Sequence, residues 1–284
     1  MELSIIVPVF NEEKILNEAM GIISKVFDKC AGKGKWKFVF INNNSTDNSA
    51  NIIQDLIAKN PGSEVHIEYT RNYGAAIKNG INRVDTDWFL VIDVEQWDIP
   101  FLNWSWNNRN SHDLFIGSKR ADITLNSQSN YRYFLSWGLN SLIQLFFTYP
   151  GMDTHGSKLV RTSSVKDFLP DCLSSRGQYD TEIVLRSVIV GSRIIEVPVK
   201  YVEVRKQKNF MFKKIFFNLI GFVKLWFRLR NLSVKGPIKY HRLDRDTLLN
   251  EVRDDSFTEI FEMSSSFYNQ KKTVILKKLN GVDK

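Results

Sequence analysis

The amino-acid sequence predicts an α/β fold in which helices flank a mostly parallel sheet. Residues 3–10 are almost continuously apolar, as expected for a strand buried on both faces. Between Ile15 and Phe27, apolar residues then recur at helical spacing. Because such strands and helices alternate along the first third of the chain, we expect βαβ units and a Rossmann-like sheet.

The later elements follow from the same patterns. Apolar runs predict strands at 37–41, 65–69, 88–93 and 114–118, and an alternating pattern predicts another at 195–201. Helical spacing predicts helices at 74–81, 131–147 and 180–190, and around the apolar residues of 52–57. The chain beyond Gly236 is polar and mixed in charge, with a late apolar cluster at 273–276.

The composition is that of a globular protein in a reducing compartment. Of the 284 residues, 43% are hydrophobic and 25% are charged, which argues against disorder. Cys30 and Cys172 are far apart and have no metal-binding spacing, so we expect neither a disulfide framework nor a zinc site. The N-terminal apolar run has no basic stretch before it and is interpreted as a strand, not a signal peptide.

The net charge of +8 is concentrated in one segment. Residues 205–245 contain twelve Lys and Arg against one acid, and helix-like residues 209–231 interleave these cations with Phe, Trp and Leu. The longest uncharged apolar run, 215–223, is too short to cross a bilayer, which takes about 20 residues. The pattern favours a helix that lies on an anionic membrane surface. The alternative is a helix that covers the sheet with a basic rim. A nucleic-acid partner is not expected, because aliphatic residues are interleaved with the aromatic ones.

Polar residues follow each predicted strand of the first third, where an open parallel sheet binds its ligands. Asp93 and Glu95 end the fourth strand two positions apart, so both carboxylates share one face. Hard oxygen ligands at this edge suit Mg²⁺ or Mn²⁺ that bridges a diphosphate. The alternative is two solvated acids at the end of a strand.

Four short motifs carry a resemblance to a known family. They are Pro8-Val9-Phe10-Asn11-Glu12, Asn42-Asn43-Asn44-Ser45-Thr46-Asp47, Arg71-Asn72-Tyr73-Gly74 and Asp93-Val94-Glu95. In order and spacing they resemble glycosyltransferase family 2, and in particular the dolichol-phosphate mannose synthases and bacterial polyprenyl-phosphate glycosyltransferases. Weaker matches continue to about residue 230.

The resemblance implies an organisation and an activity. Residues 1–205 would form a GT-A glycosyltransferase domain, followed by a basic amphipathic interfacial helix at 206–235 and a polar C-terminal extension at 236–284. The activity would be inverting transfer of a sugar from a nucleotide-sugar donor to an acceptor. The expected acceptor is a polyprenyl phosphate, and the protein would be cytoplasmic, peripheral on the inner face of the membrane. The oligomeric state is left open.

The resemblance also assigns residues to roles. The nucleotide would be bound by Pro8, Phe10, Glu12, Asn42 and Asp93, and the Mg²⁺ or Mn²⁺ cofactor by Asp93 and Glu95. The catalytic residues would be Asp180, as a base, and Asp93. Acceptor binding would fall to Arg132, Lys158, Arg161 and Glu182, since Arg and Lys recognise phosphate well.

The sequence departs from the family pattern at several positions. Asn42–Asn44 replaces an acidic stretch, Trp97 replaces a glutamine, and His155 replaces a serine beside the acceptor. Three alternatives therefore stay open: an acceptor that is a hydroxyl of a surface polysaccharide, an inactive nucleotide-sugar fold that serves as a binding or regulatory subunit, and a nucleotidyltransferase. The last is disfavoured because no Gly-rich loop follows the first strand.

Overall fold

The computed structural model describes residues 1–125, 130–201, 211–252 and 255–279. Within these ranges, eight strands form one sheet in the order β3-β2-β1-β4-β6-β5-β7-β8. The strands are β1 (Leu3–Val9), β2 (Trp36–Asn42), β3 (Glu64–Ile67), β4 (Trp88–Val91), β5 (Leu114–Ser118), β6 (Lys158–Arg161), β7 (Ile194–Pro198) and β8 (Tyr240–Arg242).

Helices cover both faces of this sheet. They are α1 (Leu16–Phe27), α2 (Ser49–Lys59), α3 (Tyr73–Ile81), α4 (Ile99–Asn107), α5 (Asn130–Phe147), α6 (Thr162–Val165), α7 (Gln178–Ile189), α8 (Met211–Leu229), α9 (Arg245–Val252) and α10 (Thr258–Leu279). The core on one face joins the sheet to α1, α4, α9 and α10, and the core on the other joins it to α3, α7 and α8.

The sheet is mostly parallel, as the sequence predicts. Within the described ranges, β6 alone runs against its neighbours β4 and β5. Its register pairs Val91 with Lys158 and Trp88 with Arg161. Lys158 therefore lies at the edge where the parallel strands end, and Arg161 lies at the edge where they begin.

Helix α8 has one buried face and one exposed face. Phe222, Leu225 and Leu229 are buried in the core that α8 shares with α7, so one face of the helix belongs to the core. The opposite face exposes Val223 and Phe227. Among the helices that the structure describes, none is long and apolar enough to cross a membrane.

The C-terminal residues, expected from the sequence to be a polar extension from 236, contribute a strand and two helices to the fold. Strand β8 pairs in parallel with β7, while α9 packs on α4 and α10 packs along α1. Leu248, Phe257 and Phe267 are buried in the same core as β1. The sequence pattern hides this because few apolar residues anchor each helix, and they are widely spaced among polar ones.

Candidate active site

Two loops at the carboxyl edge of the sheet are joined into one rim. Asn11 has a left-handed backbone (φ 56°), which asparagine tolerates better than most residues, and its side-chain oxygen accepts from the Thr46 amide at 2.8 Å. Glu13 accepts from the Asn48 amide at 2.9 Å, and Asp47 accepts from the Glu13 amide at 3.1 Å. The loops after β1 and β2 therefore fix each other's position.

The rim borders a cavity of about 260 Å³ that suits a nucleotide. Phe10 is 40% exposed, and the Arg71 guanidinium carbon lies 5.7 Å from the centre of its ring. An open aromatic face beside a cation can stack a base. The cavity is lined by Pro8, Val9, Phe10, Glu12, Asn43, Tyr73, Asp93, Val94, Glu95, Gln96 and Tyr201.

Asn42 does not line this cavity. Its side-chain oxygen accepts from the Ser45 amide at 2.9 Å and so closes its own loop. Asn43, the next residue, lines the cavity instead. The nucleotide residues expected from the sequence are thus brought together, with Asn43 in place of Asn42.

Asp93 and Glu95 lie on a tight turn at the end of β4. The Asp93 carbonyl accepts from the Gln96 amide at 3.2 Å, and both carboxylate-bearing residues line the nucleotide cavity. Desolvation raises the pKa of Asp93 to about 6; the Tyr73 hydroxyl, which donates to it, opposes the rise, whereas the charges of Asp180 and Glu95 add to it.

This pair fits a divalent cation through the chemistry of its oxygens. Among the described residues, no three His, Cys, Asp or Glu side chains are grouped as a metal site, and Asp93 and Glu95 are two carboxylate-bearing residues that line the same cavity. Mg²⁺ commonly takes one or two carboxylates and completes its shell with substrate phosphates and water. A cation would also relieve the repulsion that raises the pKa of Asp93. Asp93 and Glu95 are therefore the residues that would hold Mg²⁺ or Mn²⁺.

A buried ion pair lies behind the turn. The Lys158 ammonium is 3.2 Å from an Asp180 carboxylate oxygen and donates to the Gly156 carbonyl at 2.9 Å. Only 1% of Lys158 and 2% of Asp180 is exposed. The Lys158 charge favours ionised Asp93, whereas the Asp180 charge disfavours it.

His155 lines two cavities. It lines the smaller one, of about 130 Å³, with Trp97 and Ser157, and a larger one described below. Its Nδ1 lies 3.1 Å from the Thr154 hydroxyl, and its backbone amide donates to Asp153 at 2.9 Å. Desolvation lowers the pKa of His155, so the imidazole is neutral at neutral pH.

The larger cavity, of about 840 Å³, is lined by charged, polar and apolar side chains. Asp93 and His155 are accompanied by three cations, Arg71, Lys119 and Arg176. The apolar lining comes from side chains of α5 and α8: Leu139, Ile143, Phe222 and Leu225. The cavity therefore joins the acidic turn to the two helices whose outer faces are apolar.

Arg176 is held at this cavity by the Arg71–Gly74 loop. Its backbone amide donates to the Asn72 side-chain oxygen at 3.0 Å, and its backbone is left-handed (φ 57°). A side chain at Gly74 would collide with the Arg176 backbone, so the close approach of the two loops requires glycine there.

The residues expected to bind an acceptor are scattered. Arg161 lies at the opposite edge of the sheet, 3.3 Å from Asp113 and stacked on Trp88, because β6 is antiparallel. Lys158 and Arg161 are three residues apart on β6, which corresponds to about 10 Å along the strand. Lys158 is buried with Asp180, and the side chain of Arg132 lies outside the described residues.

Glu182 is likewise away from the cavities. It is fully buried and accepts from the Ser174 amide at 2.7 Å and from Arg186 at 3.1 Å, with Arg228 of α8 at 3.3 Å. These bonds tie α7 to α8. Glu182 is a structural acid here, which corrects its expected place beside the acceptor.

Sequence reasoning missed the cations that do line the large cavity. Arg71 and Lys119 lie in or beside motifs that were recognised, at the ends of β3 and β5, so their position at the carboxyl edge was open to inference. Tyr73 lies in the same motif as Arg71, but its contact with Asp93 depends on tertiary structure. Arg176 lies outside the four motifs, and its contact with Asn72 depends on tertiary structure as well.

The first third of the chain matches a known protein family. Residues 4–100, which contain β1 to β4 and the acidic turn, match the model of glycosyl transferase family 2. Residues 4–100 are therefore similar to family 2 glycosyltransferases over about a third of the chain. The match includes the motifs at Pro8–Glu12, Asn42–Asp47 and Asp93–Glu95 and stops before β5.

Curated relatives extend the similarity beyond this domain. Undecaprenyl-phosphate 4-deoxy-4-formamido-L-arabinose transferase from Edwardsiella ictaluri is 30% identical over 210 residues, which cover 70% of this chain and 60% of the relative. Dolichyl-phosphate beta-glucosyltransferase from Dictyostelium discoideum is 25% identical over 223 residues, 72% of this chain and 68% of the relative. The chain thus spans less than two thirds of the first of these relatives.

Solved structures confirm the GT-A fold around the family 2 domain. Glucosyl-3-phosphoglycerate synthase from Mycobacterium tuberculosis, bound to Mn²⁺, UDP and phosphoglyceric acid, superposes with a TM-score of 0.58 at 13% identity, covering 79% of this chain and 78% of that one. TarS from S. aureus gives 0.56 at 15% identity, covering 83% and 67%.

Proposed function

We propose that this protein transfers a sugar, with inversion, from a nucleotide-sugar donor to a polyprenyl phosphate at a membrane surface. The observation that carries the proposal is the large cavity, whose lining combines Asp93 and three cations with apolar side chains of α5 and α8. A lipid phosphate likewise combines an anionic group with an apolar chain. Relatives named for undecaprenyl-phosphate and dolichyl-phosphate transfer support this acceptor class.

The donor would occupy the nucleotide cavity, which shares Asp93 and Tyr73 with the large cavity. Phe10 and Arg71 would hold the base, and Pro8, Glu12 and Asn43 the remainder of the nucleoside. A divalent cation held by Asp93 and Glu95 would neutralise the departing diphosphate. The structural neighbour bound to Mn²⁺ and UDP supports a metal-linked donor.

In this proposal, the acceptor phosphate lies among Arg71, Lys119 and Arg176. Its oxygen attacks the anomeric carbon from the face opposite the diphosphate, and the bond from that carbon to the diphosphate breaks. A phosphate is already ionised at neutral pH, so a general base contributes little. Asp180, which lines neither the large cavity nor the one proposed for the nucleotide, would then act by fixing the Lys158 side chain in the buried ion pair.

The exposed apolar side chains of α5 and α8 would rest on the membrane. They are Phe134 and Leu145 on α5, and Leu219, Val223 and Phe227 on α8, each between 45% and 76% exposed. Lys224 and Arg230 beside them are exposed cations suited to an anionic leaflet. We place the protein on the cytoplasmic, inner face of that membrane.

A transfer assay tests this function. The full chain is incubated with Mn²⁺ and labelled UDP-, GDP- or CDP-sugars, with undecaprenyl phosphate in anionic vesicles or with a soluble oligosaccharide. We expect the label in the lipid fraction with one of the donors. Label on the oligosaccharide alone would instead favour a hydroxyl acceptor, for which Asp93 or His155 would have to serve as base. No transfer with any donor would favour an inactive binding subunit.

A further inference from the structure

The C-terminal helix α10 reaches the acidic turn through one residue, Trp97. The Tyr268 hydroxyl donates to the Trp97 carbonyl at 2.7 Å and accepts from the Trp97 amide at 3.2 Å. The rings of Phe267 and Tyr268 lie 5.2 and 5.3 Å from the Trp97 ring. Both the backbone and the side chain of Trp97 are thus fixed by α10.

Trp97 in turn holds the backbone between the two acids. Its indole nitrogen donates to the Val94 carbonyl at 3.1 Å, and Trp97 is only 3% exposed. Val94 lies between Asp93 and Glu95 in sequence. A continuous path of hydrogen bonds and ring contacts therefore leads from α10 to the carboxylate pair.

The next residue, Asp98, provides a second anchor from the same end of the chain. Its carboxylate accepts from the Phe101 amide at 3.4 Å and so caps α4. It also accepts from the Lys200 amide at 2.6 Å and from the Arg245 guanidinium, at the start of α9, at 3.1 Å. Arg245 of α9 therefore fixes Asp98, which directly follows Trp97 in the chain.

The turn needs such support because its two charges repel. Asp93 and Glu95 are both acidic and are separated by one residue, so a loose turn would let the acids move apart. A ligand pair binds a cation well only when surrounding groups fix its geometry. We infer that Phe267 and Tyr268 of α10 are positioning residues which, acting through Trp97, set Asp93 and Glu95 for the metal–diphosphate. This role rests on the proposed function, and it gives Trp97 a purpose where the family pattern has glutamine.

Removal of one hydroxyl tests the inference. Tyr268→Phe keeps the ring and leaves the Trp97 amide and carbonyl without that partner. We expect the dissociation constant for UDP with Mn²⁺, measured by calorimetry, to rise roughly 5- to 30-fold. The binding of UDP in EDTA should change little, because the base and ribose contacts remain. Amide exchange at 94–97 should become faster. If the wild type prefers GDP or CDP, the same comparison uses that nucleotide.

A matched control is available on the same C-terminal region. Glu251 of α9 accepts from the Trp104 indole at 2.7 Å, so Glu251→Ala removes one bond between this region and α4 without touching the turn. Its binding of UDP with Mn²⁺ should stay within about twofold of wild type, since the site is distant. Trp97→Phe removes the hydrogen bond to the Val94 carbonyl and should weaken the binding of UDP with Mn²⁺ as Tyr268→Phe does. If the Tyr268→Phe protein does not fold, the result for Trp97→Phe tests the positioning role.

The outcomes separate the two proposals. A wild-type protein that binds no nucleoside diphosphate with Mn²⁺ contradicts the donor half of the proposed function. A wild type that binds, together with a Tyr268→Phe protein that binds equally well and exchanges equally slowly, overturns the positioning role. Equal weakening in Tyr268→Phe and Glu251→Ala also overturns it, because the effect would then be general loosening of the C-terminal region.

Discussion

At the scale of single residues, Asp93 occupies the most demanding position. It borders three cavities, receives a hydrogen bond from Tyr73, and lies near the charges of Asp180, Lys158 and Glu95. Because desolvation and its acidic neighbours raise its pKa to about 6, this carboxyl is ionised at neutral pH by a small margin. Its ionisation should therefore be visible in both ligand binding and stability.

The affinity for a nucleoside diphosphate with Mn²⁺ should fall as the pH drops through about 6, because protonated Asp93 is a poor ligand. Calorimetry between pH 5 and pH 8 measures this. The phosphates and other acids also titrate, so Asp93→Asn is the control: it should bind weakly at every pH and lose most of the dependence. A wild-type affinity that is flat across pH 6 would contradict the role.

Ionisation of Asp93, which favours ligand binding, should instead lower the stability of the ligand-free protein. A carboxyl whose folded-state pKa lies above its ordinary value of 3.8 favours folding while protonated, and this contribution is lost as the pH rises from about 4 through 6. Asp93→Asn should therefore have a higher Tm than wild type at pH 7, with the difference shrinking towards pH 4. A lower Tm at pH 7 would show that the carboxylate stabilises the fold.

The three cations of the large cavity should matter for the acceptor and not for the donor. Lys119→Ala and Arg176→Ala should each raise the KM for a polyprenyl phosphate about tenfold or more, as expected for loss of a charge-assisted bond. Arg161→Ala, at the other edge of the sheet, is the matched control and should leave that KM unchanged. An acceptor defect in Arg161→Ala alone would reverse the assignment.

At the scale of elements, the sequence predicts the parts whose pattern is local. Strands β1 to β5 and helices α3, α5, α7 and α8 lie close to the expected ranges, because their apolar residues follow the period of each structure. Strand β6 was read as a motif and not as a strand, since four residues carry no clear period. Helices α9 and α10 were missed because each buries only a few side chains.

The candidate site divides in the same way. Residues that share a short motif, such as Pro8 to Glu12 or Asp93 with Glu95, could be predicted to lie together. The place of Arg161 depends on the direction of β6, and that of Glu182 on its contact with Arg228 of α8. Such long-range pairings decide which face a side chain takes, and one sequence does not contain them.

Helix α8 should bind anionic vesicles through its outer face. Each cation near an anionic leaflet contributes roughly 1 kcal/mol to the free energy of membrane binding, and salt screens this contribution. Apolar side chains buried in the membrane add a contribution that salt does not remove. Val223→Ser with Phe227→Ser should abolish the co-sedimentation that survives high salt. Leu249→Ser, an exposed leucine on α9, is the control and should retain it. A folded wild type that ignores anionic vesicles at low salt would contradict membrane docking.

At the scale of the whole molecule, the carboxyl edge of the sheet carries the proposed nucleotide cavity, the Asp93–Glu95 pair and the large cavity. The proposed nucleotide cavity and the large cavity share Tyr73 and Asp93 in their lining, and residues of α5 and α8 line the large one. The C-terminal helices support the acidic turn from the opposite layer. The central claim is that the large cavity receives the lipid phosphate acceptor, while the donor binds elsewhere.

Filling the apolar part of that cavity tests this claim most directly. Leu139→Trp places a bulky indole ring in the cavity. Leu145→Trp makes the same change on the same helix at a position that is 76% exposed. The measurement is kcat/KM for polyprenyl phosphate, beside the dissociation constant for the nucleotide with Mn²⁺. We predict that Leu139→Trp loses transfer at least tenfold with donor binding intact, and that Leu145→Trp keeps both. Unimpaired transfer to the lipid phosphate by a folded Leu139→Trp protein would contradict the account.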